Sequence, residues 1–383
     1  MIKSNNITEL LKGVEVEWKT LGEVAEIANN TRKPVKASLR IRGQIPYYGA
    51  NNIQDYVEGY THNGEYVLIA EDGSANLKNY SIQWATGKFW ANNHVHIVQG
   101  KPELDNRFLY HYLRNMNFIP YLTGGDRAKL TKSNLIEITI PIPPLHVQTE
   151  IVRILDTFTE LTAELTAELT AELTTRKKQY NYYRDKLLTF KEDEVEWKTL
   201  GEIGEVKMCK RILKEQTTEK GDIPFYKIGT FGKKPDAYIS RKLFEEYKNK
   251  YNYPKFGEIL ISASGTIGRT VIFNGQDAYF QDSNIVWIEN DESQVFNKYL
   301  YYFYQIANWG IAEGGTIKRL YNNNLSKLKI PIPPLKEQAR IVEILDKFDA
   351  LTNSITEGLP REIALRQKQY EYYRNLLLDF PKE

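Results

Sequence analysis

Lysine, arginine, asparagine and hydroxyl side chains recur in two sets of glycine-bearing polar turns. The first set is Lys88, Asn92, Asn93, His94, Arg127, Lys129 and Lys132; the second is Ser264, Thr266, Arg269, Asn284, Lys318, Arg319 and Asn322. These groups suit nucleic-acid contact, because Arg and Lys bind phosphates or guanine edges, Asn pairs with adenine, and Ser or Thr serves either. Any one of them on a loop is ordinarily just solvated. Their recurrence at matching places in both halves of the chain makes the two groups a candidate surface for double-stranded DNA.

Catalytic chemistry lacks its usual apparatus. The chain has no G-x-x-x-x-G-K-[ST] loop and no H-E-x-x-H, and its one cysteine, Cys209, allows neither a zinc pair nor an internal disulfide. Nor is there an Asn-Pro-Pro-aromatic or Asp-Pro-Pro-aromatic tetrapeptide such as adenine methyltransferases carry. His94 and His96 would share one face of a strand, but a metal needs a third ligand that the neighbourhood does not supply. The expectation is a chain with no catalytic residue, no metal and no cofactor of its own.

Composition bounds what must position these turns. At 383 residues with 42% hydrophobic content the chain can build two cores. No run approaches the 18 or so apolar residues of a membrane span, and no basic segment precedes an apolar run at the N-terminus. A cytoplasmic protein with no membrane partner is expected. The 51 basic and 49 acidic residues give a net charge of only +2, so any charge facing DNA must be local.

The sequence is written twice. VEWKTLGEVAEI at Val16–Ile27 returns as VEWKTLGEIGEV at Val195–Val206, an offset of 179 (195 minus 16). KLTKSNLIEITIPIPPLHVQTEIVRILDTF at Lys129–Phe158 lies without a gap on Arg319–Phe348, an offset of 190 (319 minus 129). The frames match while the inserts between them diverge. A partner or scaffold common to both halves would hold the frames, leaving the inserts free to recognise different things.

Within each insert, EYVLIAEDGSANL (Glu65–Leu77) and EILISASGTIGR (Glu258–Arg269) read as short apolar strands running into glycine turns. Helices are expected at Arg107–Asn115 and Asn297–Ala307. After each PIPPL a helix should start, since proline is tolerated only in the first turn. The first such helix, Leu145–Phe190, would run roughly 70 Å. It contains three TAEL repeats, whose leucines Leu165, Leu169 and Leu173, with Leu161 just ahead of them, continue an apolar stripe that turns by about 40° per four-residue step. The second, Leu335–Phe380, should kink or break near Thr356–Pro360, where Gly358 and Pro360 interrupt it. The tyrosines Tyr180, Tyr183, Tyr370 and Tyr373 belong either to the core of a helix pair or to a partner surface.

The expected fold is α+β. Two mixed heads stand in a pseudo-twofold arrangement, joined by two long antiparallel helices forming a coiled coil. The divisions are 1–144 for the N-terminal segment and first head, 145–192 for the central helix, 193–334 for the second head and 335–383 for the last helix.

The order of variable segment, IPIPPL..Q..IV.ILD.F helix, second variable segment and second helix resembles the specificity subunit of type I restriction-modification systems over essentially the whole chain. The TAEL array resembles the IC branch of that family. The resemblance implies two target recognition domains, each reading one half of a split asymmetric DNA site, with the helical spacer setting the unread gap. It also implies two modification methyltransferase subunits docked on the helices, for which Tyr180, Tyr183, Tyr370 and Tyr373 are the candidate contacts, and restriction and translocation subunits joining them. S-adenosylmethionine, ATP and Mg would then sit on the partners. The competing expectation is a coiled-coil scaffold that binds only protein, with the heads as passive caps.

Overall fold

A computed structural model describes residues 9–124, 128–309, 319–354 and 356–381. Two compact units emerge: unit 1 is Met1–Glu168 with Ile363–Glu383, and unit 2 is Leu169–Glu362.

Unit 1 opens with β1 (Glu17–Thr20) and a one-turn helix, α1 (Leu21–Val24), followed by β2 (Ala25–Ile27). Then come β3 (Arg42–Tyr48), β4 (Ile53–Val57), β5 (His62–Asn63), β6 (Tyr66–Ala70), β7 (Ile82–Ala85), β8 (Lys88–Ala91) and β9 (Val95–Gly100). Two helices, α2 (Asn106–Asn115) and α3 (Lys132–Ile136), lead to β10 (Thr139–Ile142) and the 44-residue helix α4 (Leu145–Leu188). Unit 2 repeats the plan with β11 (Glu196–Thr199), α5 (Leu200–Ile203), β12 (Val206–Lys207), β13 (Ile223–Tyr226) and β14 (Tyr238–Ile239). It continues through α6 (Arg241–Lys250), β15 (Ile259–Ser262), β16 (Thr270–Ile272), β17 (Tyr279–Phe280), β18 (Ile285–Ile288), α7 (Asn297–Tyr304), α8 (Asn322–Ser326) and β19 (Lys329–Ile332). The chain ends in α9 (Leu335–Asn353) and α10 (Gly358–Leu378).

The repeated words of the sequence pair with each other inside each unit. VEWKT forms β1 and pairs antiparallel with the ITIPI strand β10, Trp18 opposite Pro141; β11 and β19 do the same with Trp197 opposite Pro331. A proline fits there because each ribbon has only two strands, so its missing N–H can lie on the open edge. The TLGE that follows makes the turn: the Glu23 carboxylate accepts the Thr20 N–H at 2.7 Å and hydroxyl at 2.8 Å, and Glu202 does the same for Thr199.

The divergent inserts share a topology that their sequences hide. In unit 1 one sheet has the order β2-β9-β6-β7, and in unit 2 the order is β12-β18-β15-β16, so the two correspond strand for strand. The second sheets are β4-β3-β8-β5 and β14-β13-β17, each with a parallel pair, β3 with β8 and β13 with β17. Val67, Ile69, Val98, Ile261 and Val286 are buried in the two cores, against which α2 and α7 pack.

Helix contacts form within each unit. In unit 1 the Phe158 ring lies 5.3 Å from that of Tyr373 and Thr159 meets the Tyr370 hydroxyl at 3.1 Å, whereas in unit 2 Phe348 packs on Tyr180 and Tyr183. Of the four spacer leucines Leu161 is exposed, and Leu165, Leu169 and Leu173 are half-buried. The second long helix, expected to kink or break near Thr356–Pro360, is interrupted: α9 ends at Asn353 and α10 begins at Gly358. The Ser354 hydroxyl accepts the N–H groups of Thr356 and Glu357, and Gly358 has φ of +76°. A Cβ on Gly358 would lie 2.4 Å from the Ala350 carbonyl oxygen, so the break requires glycine there. Among the described residues no helix is long and apolar enough to cross a membrane.

Candidate nucleic-acid interfaces

Three backbone segments meet at one end of the main sheet in each unit, and they meet in the same way. In unit 1 the Glu71 N–H donates to the His94 carbonyl at 2.9 Å, the Leu130 N–H to the Glu71 carbonyl at 2.8 Å, and Asp72 bridges Lys129. In unit 2 the Ala263 N–H donates to the Asn284 carbonyl at 2.8 Å, the Leu320 N–H to the Ala263 carbonyl at 2.8 Å, and Ser264 bridges Arg319. Position by position, Glu71 therefore stands where Ala263 stands, Asp72 where Ser264 stands, His94 where Asn284 stands and Lys129 where Arg319 stands.

The side chains on this shared frame differ in kind. In unit 1 carboxylates organise them: His94 Nδ1 lies 2.5 Å from Asp72 Oδ1, and Glu71 takes Arg32 at 2.7 Å and Lys129 at 3.0 Å. Burial pushes the Glu71 carboxyl up, but the hydrogen bonds from Arg32 and Lys129 more than offset this and its pKa falls below the ordinary value. Unit 2 instead presents a hydroxyl, an amide and a guanidinium. Ser264 Oγ donates to Asn284 Oδ1 at 2.8 Å, and Arg319 donates to the Ser283 carbonyl at 3.0 Å. Beside them the Arg269 guanidinium spans the Phe231 carbonyl at 3.1 Å and the Thr266 hydroxyl at 3.4 Å. A carboxylate can accept from a cytosine amino group, an amide suits adenine and a guanidinium suits guanine, so the two ends differ in the base edges they can complement.

Not every candidate belongs to these clusters. Asn92 is buried, 4% exposed, and its Oδ1 accepts the His94 N–H at 2.8 Å; it shapes the turn and leaves Asn93 and His94 exposed. Lys88 sits at the other end of β8, exposed, with its ammonium 5.0 Å over the Tyr60 ring. At about 3.3 Å per residue it is some 13 Å from the Asn92 turn. Lys132 and Asn322 occupy equivalent first positions of α3 and α8, both exposed. Arg127 and Lys318 lie outside the described residues.

The two histidines do not act as a pair. His96 is buried, with Nε2 2.8 Å from the Leu130 carbonyl and Nδ1 2.9 Å from Asn29 Nδ2; burial lowers its pKa, so it is a neutral core group. Among the described residues no group of three or more His, Cys, Asp or Glu is placed to hold a metal ion.

Sequence reading missed Glu71, Asp72, Arg32 and Arg211. Arg32 donates to the Val95 carbonyl at 2.8 Å, and Arg211 reaches Asp282 at 3.0 Å, so each arginine ties the segment after the first strand of its sheet to the β8–β9 or β17–β18 turn. A signal existed, since Arg211 follows Arg32 at the same offset of 179 that relates the VEWKTLGE words (211 minus 32).

Of the tyrosines considered for docking, Tyr180 is buried, its hydroxyl donating to Gln305 Oε1 at 3.0 Å, and Tyr370 and Tyr373 are half-buried in the helix pair of unit 1. Tyr183 is exposed although it stacks on Phe348. The neighbours Tyr182 and Tyr372 are the most open of the two clusters, at 59% and 60%.

A family model described as the type I restriction modification DNA specificity domain matches residues 13–175 and again 192–365. The chain belongs to this family of type I restriction-modification specificity subunits. It is 73% identical over 378 residues, 98% of each chain, to the provisionally named type I restriction enzyme specificity subunit S.HindORF215P of Haemophilus influenzae. It is 38% identical over 414 aligned positions to the EcoR124I/EcoR124II specificity subunit of Escherichia coli, spanning 100% of this chain and 98% of that one. The fold resembles the HsdS subunit from Thermoanaerobacter tengcongensis, with a TM-score of 0.54 at 17% identity over 96% of both chains. A chain from a study of complex assembly in the type I restriction-modification system gives 0.60 at 17% identity over 96% of this chain and 97% of that one. As a specificity subunit the protein is a DNA-recognition component of a multisubunit system; catalysis is not its part.

Proposed function

We propose that the two units read the two halves of a split, asymmetric DNA site, one half each. The observation that supports this is the strand-for-strand match of the inserts combined with unlike groups at matched positions: Asp72 against Ser264, Glu71 against Ala263, His94 against Asn284. A passive cap would have no use for two chemistries on one frame.

The finer layout follows the IC branch. The long helices form an antiparallel coiled coil that joins the two readers and docks two methyltransferase subunits, with restriction and translocation subunits added in the cytoplasm. S-adenosylmethionine, ATP and Mg belong to those partners. The TAEL array is a spacer: one unit adds about 6 Å and about 40° of helix, against about 3.4 Å and some 35° for one base pair of B-DNA. Within this layout 1–144 and 193–334 are the recognition domains, and 145–192 and 335–383 the helices.

Methylome sequencing of a host carrying this chain and its methyltransferase tests the reading. Replacing the unit 1 insert with that of a relative of different specificity should change one half of the methylated site and leave the other half intact. A protein-only scaffold would leave the methylated sequence unaltered.

A further inference from the structure

We infer that each unit carries a second DNA-contact surface, a basic strap that grips backbone phosphates beside the polar turn. The inference rests on the reading of the chain as a DNA specificity subunit and adds where sequence-independent affinity comes from. In unit 1 the stretch Ala28–Gln54 holds five cations, Arg32, Lys33, Lys36, Arg40 and Arg42, and no acidic residue, a formal +5 within a chain of net +2. In unit 2 Val206–Lys214 holds Lys207, Lys210, Arg211 and Lys214, again with no acidic residue. The near-neutral total charge conceals both.

The straps occupy the same place in the fold. Each follows the first strand of the main sheet, β2 or β12; the unit 1 stretch runs through β3, whereas the unit 2 stretch ends at Lys214, ahead of Glu215, Glu219, Asp222 and β13. The unit 1 stretch includes turns of 3-10 helix at Asn29–Thr31 and Ala37–Leu39, the second holding the exposed Leu39; in unit 2 a 3-10 turn, Lys214–Gln216, begins where the stretch ends, beside the exposed Leu213. Arg32 and Arg211 fasten them next to the turns at Val95 and Asp282.

The unit 1 strap is held in shape. Trp90 Nε1 donates to the Lys33 carbonyl at 2.7 Å, the Val35 N–H donates to the Tyr47 hydroxyl at 3.0 Å, and the Arg40 guanidinium lies 4.1 Å over the Tyr47 ring. Some cations are spent internally: Arg32 on Glu71, Arg40 on Asp55, Lys207 on Glu205 and Glu289, Arg211 on Asp282. The rest are not. Lys33, Lys36 and Arg42 in unit 1, and Lys210 and Lys214 in unit 2, are exposed and within ion-pair distance of no carboxylate among the described residues. Like charges gathered on a preformed segment repel one another unless an anion lies over them, and a phosphate backbone supplies one. Phosphate contacts fix register and orientation without reading bases, which suits a feature that recurs on both readers while the turns beside it differ.

The test uses the full chain assembled with its methyltransferase subunits and two duplexes of equal length, one bearing the site mapped by methylome sequencing and one with that site scrambled. Fluorescence anisotropy is followed across a salt series. For K33Q/K36Q/R42Q the slope of log K against log salt should become shallower by about 2.7, and for K210Q/K214Q by about 1.8, at about 0.9 for each phosphate no longer neutralised. Both duplexes should weaken alike, so the preference between them persists, and the charge-retaining K33R/K36R/R42K should keep the original slope. An unchanged slope in a folded glutamine variant overturns the inference, as does a weakening confined to the mapped duplex, which would make the strap a base reader. Failure of the unmutated complex to prefer the mapped duplex would count against the specificity reading itself and is visible separately from the slopes.

Discussion

Gln148 and Gln338, 190 residues apart (338 minus 148), make the same three hydrogen bonds. Gln148 accepts the Asp105 N–H at 2.9 Å and donates to the Glu103 and Pro143 carbonyls at 2.9 and 2.7 Å; Gln338 accepts the Phe296 N–H at 2.9 Å and donates to the Gln294 and Pro333 carbonyls at 2.9 and 2.8 Å. Both are fully buried. Each glutamine staples the entry to the head helix onto the start of a long helix. Q148L or Q338L leaves buried backbone groups without partners, at about 1–3 kcal/mol each. A loss of about 2–4 kcal/mol in chemical denaturation is expected, and a change under about 0.5 kcal/mol would refute the staple.

A second latch repeats with different chemistry. Asp156 accepts from Arg107 and His111, both at 2.8 Å, and Asp346 accepts from Lys298 at 2.7 Å and Tyr302 at 2.5 Å. Burial pushes His111 below the ordinary histidine pKa, with Asp156 acting only partly against it, and burial likewise lowers His62 and His96. A lowered histidine pKa means the folded state binds fewer protons than the unfolded state. The associated stability is present above the ordinary value near 6.5 and is lost as pH falls from there through the lower folded-state values. All five histidines of the chain fall in unit 1. Calorimetric scans from pH 8 downward should therefore show the unit 1 transition dropping before that of unit 2. Two transitions that shift together through pH 6 would contradict this.

Glu258 in unit 2 works in the opposite sense. It is 2% exposed, one oxygen accepts the Lys255 N–H at 2.6 Å, and the other has no partner, so burial raises its pKa. Its proton is held more tightly folded than unfolded; the favourable contribution is complete below about 4.5 and is lost as pH rises through the folded value. E258Q should stabilise unit 2 by about 1–3 kcal/mol at pH 8 and by almost nothing at pH 4. Equal denaturation midpoints for the variant and the parent at pH 8 would rule this out.

Deleting Thr170–Leu173 removes one TAEL repeat and about 6 Å of helix. The methylated site should keep both half-sequences and lose unread base pairs between them. An unaltered gap in the methylome would eliminate the spacer role.

Tyr182 and Tyr372 are exposed while their neighbours Tyr183 and Tyr373 pack on Phe348 and Phe158. Y182A with Y372A should weaken methyltransferase binding about tenfold or more, as expected for a tyrosine hot spot, and leave the melting temperature unchanged. Calorimetric titration checks this; full affinity would place the docking surface elsewhere.

The frame was legible because its determinants are local. Prolines at Pro141–Pro144 and Pro331–Pro334 announce a helix start, Gly358 and Pro360 announce its break, and the gapless match at offset 190 pairs Asp156 with Asp346 and Gln148 with Gln338 before any fold is known. The residues of the candidate surfaces were only partly legible. Asn92 looked like an exposed amide and is a buried turn former, while Glu71 and Asp72 looked like ordinary acids and stand at the centre of the unit 1 cluster.

What the amino-acid order determined by itself is therefore the duplication, the long helices and the class of side chain available at each turn, all consequences of backbone chemistry acting over a few residues. Tertiary structure alone decided that the two divergent inserts share one strand order, since β9 lies between β2 and β6, and β18 between β12 and β15, through pairings remote in sequence. It also decided which cations are free. Arg32 and Arg40 are neutralised by Glu71 and Asp55, 39 and 15 residues away, whereas Lys33, Lys36 and Arg42 are left exposed. Burial and charge pairing depend on distance in space, and distance in space is what a linear sequence does not carry.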